Sequence, residues 1–270
     1  MIIAFVGKGG VGKTTVASST ALALAGRGRT VIVSSDFMPS LRFVFPAQER
    51  NLEVIELSEK VVSQRWKDTY GPEVATILKQ LFDVSDWVLD HISESPGVAE
   101  EFMISNIVDL ELSGKYDYVV WDTAASSSTM HLILLQKEFY EHLSRDVRLY
   151  LKLRDTIHTD KILDLLEEWK ILAQKVWSQI LNTKFFLVTT QDDLSLIQTK
   201  EISRDLESMG IKIRGKICNR YKKDSHGDFI LTIPELNGSA REVVNMIYDS
   251  ITSDEGKMSL FAAINAGGTR

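Results

Sequence analysis

The chain has 270 residues, of which 44% are hydrophobic and 25% charged. This composition is typical of a globular protein with one large α/β domain or two smaller ones. The net charge of −6 disfavours non-specific binding to nucleic acid, which requires clustered lysine and arginine. A single cysteine excludes an intrachain disulfide framework and a C-x-x-C zinc site. Because we find neither a run of roughly 20 apolar residues nor a basic leader, we expect a cytoplasmic protein whose contact with membranes is at most indirect.

Short apolar segments alternate with helical patterns along the chain. The segments are rich in β-branched and aromatic residues and apolar throughout, which is typical of buried parallel strands. Helical patterns over residues 14–25 and 194–209 are each closed by a glycine. The alternation predicts an α/β fold with a doubly wound, mostly parallel sheet and right-handed crossovers. The predicted strands are residues 2–6, 30–34, 118–122, 185–189 and 215–218.

Two segments, at about residues 57–115 and 137–182, are longer than a crossover requires. We therefore predict a single domain over residues 1–270 with two helical insertions. Their apolar stripes either pack against the sheet and each other, or form a groove for an apolar client helix. The stripes are Val74, Ile77, Leu78, Leu81, Val88 and Ile92 in the first, and Ile162, Leu165, Leu166, Trp169, Leu172, Val176 and Ile180 in the second.

A glycine-rich motif follows the first predicted strand. Residues 7–15 read GKGGVGKTT and match G-x-x-x-x-G-K-[ST], a loop whose backbone N–H groups cradle nucleotide phosphates. The following helix adds its dipole to this anion site. We predict that Lys13 reaches the β- and γ-phosphates and that Thr14 binds Mg²⁺. The other predicted phosphate-binding residues of the loop are Gly9, Gly10, Val11, Gly12 and Thr15.

Acidic residues follow two of the predicted strands. Asp36 comes just after strand 30–34, and Asp122 ends strand 118–122. Ligands of doubly wound sheets bind beyond the carboxyl ends of the strands, so both carboxylates are predicted near the γ-phosphate. Asp36 would position or deprotonate the attacking water, and both would share in the Mg²⁺ shell, partly through water. The alternative for Asp36 is a helix N-cap or turn former.

Three further features lie beyond strand ends. Residues 123–129 (TAASSST) suit a mobile loop that senses the γ-phosphate, or alternatively a strand-to-helix turn capped by serine. Asn219 follows strand 215–218 and is predicted to hydrogen-bond the adenine edge, although asparagine is also a common turn residue. Pro234, together with Glu235, is predicted to flank the base.

Together these residues resemble the arsenite-pump and guided-entry (tail-anchored protein targeting) ATPases, which have a deviant phosphate loop with a surplus lysine. Lys8 is that lysine here. The matching segments are KGGVGKTT at 8–15, SSDFMPSL at 34–41, PGVAEE at 96–101, DTAASSST at 122–129, and residues 185–195 followed by Asn219-Arg220. The resemblance implies an ATP- and Mg²⁺-dependent homodimer with nucleotides near the interface. In such a dimer Lys8 reaches the partner's phosphates, Asp36 activates water, Asp122 senses Mg²⁺ and the γ-phosphate, and Asn219 holds adenine.

The chain departs from the family pattern in the two segments that correspond to the family's nucleotide-sensing switches, residues 34–41 and 122–129. Phe37 and Met38 stand where the family has Pro-Ala, and Ala125 and Ser128 stand where it has Pro and His. One cysteine per chain is too few for arsenite, which prefers several thiolates. Three functions follow: an ATP-switched dimer delivering a client such as an apolar protein segment, a partitioning or positioning ATPase of the ParA/MinD type, or an ATPase subunit driving an anion pump. A weakly hydrolysing ATP-binding scaffold is compatible with each.

Overall fold

The computed structural model describes residues 1–36, 40–81, 98–153, 160–222, 228–253 and 257–266. Its strands are β1 (Ile2–Val6), β2 (Thr30–Ser34), β3 (Leu52–Glu56), β4 (Tyr118–Asp122), β5 (Lys184–Thr189), β6 (Ile213–Tyr221) and β7 (Leu231–Pro234). They form one sheet in the order β3-β2-β4-β1-β5-β6-β7. Each neighbouring pair is parallel, so all carboxyl ends lie at the same edge of the sheet.

The helices connect these strands and cover both faces of the sheet. The predicted α/β fold with a parallel sheet is therefore confirmed. The helices of the described residues are α1 (Lys13–Ala25), α2 (Leu41–Val44), α3 (Glu59–Leu81), α4 (Val98–Leu112), α5 (Ser126–Leu153), α6 (Asp160–Asn182), α7 (Asp193–Ser208), α8 (Ala240–Thr252) and α9 (Ala262–Asn265), with a π-helical turn at Lys257–Phe261 before α9.

The chain divides into two compact units. The sheet unit comprises Met1–Leu57, Asp109–Met130 and Leu181–Arg270. The helical unit comprises Ser58–Val108 and His131–Ile180.

Strands at the centre of the sheet unit are buried along their whole length, because they have helices on both faces. Every residue of β1 is buried, and the Phe5 ring stacks on Phe186 of β5 with centroids 5.7 Å apart. On α1, the Ser19 hydroxyl donates to the Val244 carbonyl of α8 at 2.9 Å. These contacts join β1 to β5 and the middle of α1 to α8 within the sheet unit.

Aromatic rings pack together inside the helical unit. Phe102 of α4 contacts Trp66 and Tyr70 of α3, with ring centroids 6.2 and 5.2 Å apart. Tyr70 also meets Trp169 of α6 edge to face at 6.2 Å. In the second predicted stripe, Val176 and Ile180 are buried, each 1% exposed. The side chains of the first stripe lie outside the described residues.

Candidate active site

The glycine-rich loop takes a conformation that needs glycine at two positions. Gly10 and Gly12 have φ of 82° and 92°, in the left-handed region that side chains disfavour. A Cβ on Gly7 would lie 2.1 Å from the Val188 carbonyl oxygen, whereas a Cβ on Gly9 or Gly10 would meet no described atom within 4 Å. The loop is thus closely packed on its inner side and open on its outer side.

Helix α1 begins at this open loop without a side-chain cap. Its N-cap is Gly12, which has no side chain to accept a hydrogen bond from the first turn. The first N–H groups of a helix have no partner inside the helix, and an anion at the N-terminus satisfies them and is favoured by the dipole. The predicted phosphate-binding residues 9–15 thus lie in the loop and first turn at an uncapped helix N-terminus, and their contact with phosphate stays a prediction.

Lys13 lies in this loop with its ammonium held close. Its side chain is 7% exposed, and Nζ donates to the Lys8 carbonyl oxygen at 3.2 Å. Burial lowers the pKa of Lys13, while the charges of Asp122 and Asp36 oppose that shift. A buried cation beside two carboxylates at an anion site is suited to binding the terminal phosphates of a nucleotide.

Asp122 is a buried carboxylate with one oxygen free. It is 1% exposed, and its Oδ2 accepts a hydrogen bond from the Ser34 hydroxyl at 3.4 Å. Its Oδ1 has no hydrogen-bond partner among the described residues. Burial raises the pKa of Asp122 to about 7, although a hydrogen bond with Thr14 and the charge of Lys13 act in the opposite direction. An unpaired carboxylate oxygen near a threonine hydroxyl fits Mg²⁺, a hard cation that prefers oxygen ligands.

Asp36 lies two residues beyond the end of β2 and is partly exposed. Its backbone N–H donates to the Ser34 hydroxyl at 3.3 Å. Its charge acts on both Lys13 and Asp122, which places the three ionisable groups in one electrostatic cluster. The next three residues, 37–39, include the predicted departures Phe37 and Met38 and lie outside the described residues.

Lys8, the other lysine of the loop, lies beside Asp192 and not beside Asp36 and Asp122. Lys8 Nζ lies 3.8 Å from Asp192 Oδ1, and the Lys8 side chain is 28% exposed. Asp192 caps helix α7, because its Oδ1 accepts from the Ser195 N–H at 2.9 Å. Hydrogen bonds from Ser195 and Thr190 hold the pKa of Asp192 well below its usual range, so it stays ionised. Lys8 is therefore beside an anionic partner on the rim of the site, and Lys13 alone of the two has its ammonium packed into the loop.

The Asn219 side chain supports the glycine-rich loop through a hydrogen bond to its backbone. Its amide nitrogen donates to the Val11 carbonyl oxygen at 2.8 Å, and its amide oxygen accepts from the Arg220 N–H at 3.0 Å. A Cβ on Gly12 would lie 2.2 Å from that amide nitrogen, so the close approach requires glycine. This backbone-supporting position was not predicted from the sequence, and the predicted adenine contact of Asn219 stays a prediction.

A cavity of about 350 Å³ lies at the carboxyl ends of β5, β6 and β7. Its wall is held together by Gln191, whose amide exchanges two hydrogen bonds, of 2.6 and 3.2 Å, with the backbone of Lys222. Pro234 ends β7 beside this wall and is exposed. Sequence reasoning missed most of this lining, although Arg220 is near the end of β6 and the other lining residues follow the ends of β5, β6 and β7, where ligands of such sheets bind. The lining residues are Thr190, Gln191, Asp192, Arg220, Lys222 and Glu235.

The loop after Asp122 is shorter than the predicted loop at residues 123–129, because a helix begins at Ser126. Thr123 and Ala124 are buried, and the Thr123 hydroxyl donates to the Phe5 carbonyl oxygen at 2.7 Å. Helix α5 begins at Ser126, so the serines predicted in a mobile loop form the first turn of a helix. Ala125 and Ser128, the two departures from the family pattern, are exposed. Of the two alternatives, the structure has the strand-to-helix turn.

The parallel sheet, with its glycine-rich loop between β1 and α1, defines a P-loop nucleoside triphosphatase. The family model for ArsA ATPases, described as anion-transporting ATPase, matches residues 1–253. The chain therefore belongs to the ArsA ATPase family, as the resemblance predicted. Nothing in the described helices is long and apolar enough to span a bilayer.

Relatives with assigned names agree with this membership. The chain is 30% identical over 249 residues to "Putative arsenical pump-driving ATPase 2" of Aquifex aeolicus, covering 84% of this chain and 82% of that protein. It is 28% identical to "Putative arsenical pump-driving ATPase" of Chlorobaculum tepidum and 24% identical to "ATPase ASNA1 homolog" of Plasmodium vivax. These matches cover 81% and 79% of this chain, but only 60% and 62% of the two relatives.

Proposed function

We propose that this ATPase is an Mg²⁺-dependent dimeric switch, which hydrolyses ATP to ADP and phosphate to drive the binding and delivery of a client. The observation that carries the proposal is the difference in position between the two loop lysines. Lys13 is buried in the loop, whereas Lys8 lies on its rim beside Asp192. A lysine on the rim is available to a second subunit, where it would stabilise charge on that subunit's phosphates.

Binding of the nucleotide rests on the loop and Lys13. The uncapped N-terminus of α1 supplies N–H donors, and Lys13 supplies the charge that pairs with the terminal phosphates. The cavity at the ends of β5, β6 and β7 would take the base, and its polar walls, which include Gln191 and Glu235, offer hydrogen-bonding groups to the adenine edge.

Hydrolysis rests on the carboxylates at the ends of β2 and β4. Asp122 and Thr14 would hold Mg²⁺, which when bound would neutralise charge developing on the phosphates. Asp36 would orient the attacking water and accept its proton, since its carboxylate belongs to the same electrostatic cluster as Lys13. Lys8 of the partner subunit would supply further positive charge, as arginine fingers do in related phosphoryl transfers.

The client is proposed to be a protein with an apolar segment in the cytoplasm. The lone cysteine, Cys218, is buried in β6, and burial raises its pKa to about 11, so it offers no thiolate for a soft anion. We propose that the client binds to the helical unit, which contains the packed aromatic rings. A pump-driving role is the second candidate, because two relatives carry that name.

The test is ATP-dependent dimerisation of Lys8→Ala. We expect monomeric ATP affinity within about threefold of the wild type, loss of the dimer with a non-hydrolysable ATP analogue, and a fall in turnover of about 10³-fold. Sedimentation velocity and phosphate release measure the two effects. The matched control is Lys212→Ala, which removes an exposed lysine just before the amino end of β6, at the opposite edge of the sheet. Wild-type dimerisation and turnover by Lys8→Ala would rule out the role of Lys8 across the dimer, and a wild-type protein that stays monomeric with the analogue would rule out the dimeric switch.

A further inference from the structure

A buried hydrogen bond joins the strand ends that carry the two carboxylates. The Trp121 indole Nε1 donates to the Ser35 hydroxyl at 2.9 Å, and both side chains are 1% exposed. Trp121 lies in β4, and Ser35 immediately follows β2, its parallel neighbour in the sheet. The bond therefore joins two residues that are 86 positions apart in sequence.

Each partner of this bond adjoins a site carboxylate. Trp121 precedes Asp122, and Ser35 precedes Asp36. The Ser35 N–H also donates to the Asp122 carbonyl oxygen at 3.2 Å, so Ser35 is tied to β4 through both its backbone and its side chain. Displacement of Ser35 would move the carboxylate of Asp36 relative to that of Asp122.

The donor side of the bond is the rigid one. Strand β4 lies between β2 and β1 near the centre of the sheet. The Phe185 ring of β5 packs edge-on against the indole, with centroids 6.3 Å apart at an interplanar angle of 63°. Asp36, by contrast, lies beyond the end of β2 and is partly exposed. An indole fixed by the core thus holds the beginning of a segment that has left the sheet.

We propose that Trp121 is a positioning residue for ATP hydrolysis, acting through the Ser35 hydroxyl to hold the Asp36 carboxylate where it orients water. This role rests on the proposed function, in which Asp36 acts on that water. A displacement of about 1 Å in a catalytic group can cost on the order of 10²-fold in rate. A hydrogen bond that only satisfied a buried indole would instead contribute to stability and leave the rate constant unchanged.

The test is a double-mutant cycle with Trp121→Phe and Ser35→Ala. The first keeps an aromatic ring and removes the donor, and the second removes the acceptor. We expect each to lower kcat about threefold to tenfold with the KM for ATP unchanged, and the double variant to be no slower than the slower single variant, since both remove one bond. In the ligand-free protein, amide exchange in residues 30–36 should be faster in both variants than in the wild type.

The matched control is Thr199→Val, which removes another buried hydroxyl, one that donates to the Ser195 carbonyl oxygen of its own helix. It should leave kcat unchanged, and thermal melting confirms folding of each variant. Wild-type kcat in Trp121→Phe and Ser35→Ala, or losses that multiply in the double variant, would overturn the positioning role and leave the proposed function standing. If the wild type releases no phosphate from ATP, the proposed function fails and the positioning role fails with it.

Discussion

The sheet unit and the helical unit differ in what they bury. Among the described residues of the sheet unit, charged side chains are buried: Lys13 and Asp122 at the site, and Lys184 at the opposite end of the sheet. In the described part of the helical unit, the buried side chains are apolar apart from Ser105 and Gln136. Burying a charge is costly unless it is paired or meets a ligand. The comparison predicts that the sheet unit gives up stability at its candidate site, whereas the helical unit is stabilised by apolar packing.

This difference makes opposite demands on substitutions. At the carboxyl edge of the sheet, replacing a carboxylate by an amide should alter turnover or the pH dependence of stability, while the protein still folds. Inside the helical unit, a change of volume should alter folding more than turnover. Each prediction below could break that contrast.

The largest expected effect is on turnover in Asp36→Asn. The substitution preserves the shape of the side chain and removes its capacity to accept a proton, so kcat should fall about 10²- to 10⁴-fold. ATP affinity should remain, because Lys13 and the loop bind the phosphates. Single-turnover phosphate release and ATP titration separate the two effects.

The control for this variant is Asp249→Asn, which removes an exposed carboxylate on α8. Equal turnover in Asp36→Asn and the control would leave Asp36 as a turn-forming residue, the alternative interpretation of the sequence. A variant that retains ATP without releasing phosphate could also be used to recover client proteins, since a trapped complex lasts through purification.

The next effect is on stability, and it concerns the helical unit. Met103 of α4 is 0% exposed. Met103→Ala should lower the free energy of unfolding by about 2 to 5 kcal/mol, because it leaves a cavity in a close-packed interior. ATP affinity should stay within about twofold of the wild type. Urea unfolding followed by tryptophan fluorescence, with ATP titration in buffer, measures both quantities.

Met246→Ala is the matched control, because Met246 on α8 is 43% exposed and its truncation leaves no cavity. If Met103→Ala weakens ATP binding as much as it weakens folding, the two units do not have separable roles, and the contrast drawn above is wrong.

Differences in burial also explain which strands of the sheet could be predicted from the sequence. The central strands were predicted because they are apolar along their whole length, as burial on both faces requires. Strands β3 and β7 were missed. They lie at the two edges of the sheet and are only partly buried, and β7 ends in a proline. A short edge strand half open to solvent has no continuous apolar run, so its sequence does not distinguish it from a loop.

For the candidate site, residue types could be predicted from the sequence but their pairings could not. Lys13 was predicted in the glycine-rich loop, and Asp36 and Asp122 were predicted at strand ends. The three lie in one electrostatic cluster. The contacts of Lys8 with Asp192, Trp121 with Ser35, and Asn219 with Val11 depend on which strands are neighbours. Strand order and register are set by the packing of the whole sheet, and a single sequence does not specify them locally.

The smallest effect concerns stability against pH, and it measures the cost of the buried carboxylate. The pKa of Asp122 is raised by burial to about 7, above its ordinary value of 3.8. The native protein therefore binds more protons than the unfolded chain between these values, so its stability increases as the pH falls through 7. Between pH 8 and pH 6 the ligand-free protein should gain about 1.4 kcal/mol from this group. Urea unfolding at pH 6, 7 and 8 measures the gain.

Asp122→Asn isolates this contribution, because every other ionisable group is the same in the two proteins. The variant has no carboxylate to protonate, so the difference in pH dependence between it and the wild type belongs to Asp122. The variant should also be the more stable protein at pH 8, because it no longer buries an ionised group. Mg²⁺ with ATP should stabilise the wild type far more than Asp122→Asn, since the free Oδ1 is the proposed ligand. If the two proteins show the same pH dependence, then Asp122 is ionised at no cost, and the sheet unit does not give up stability for its site.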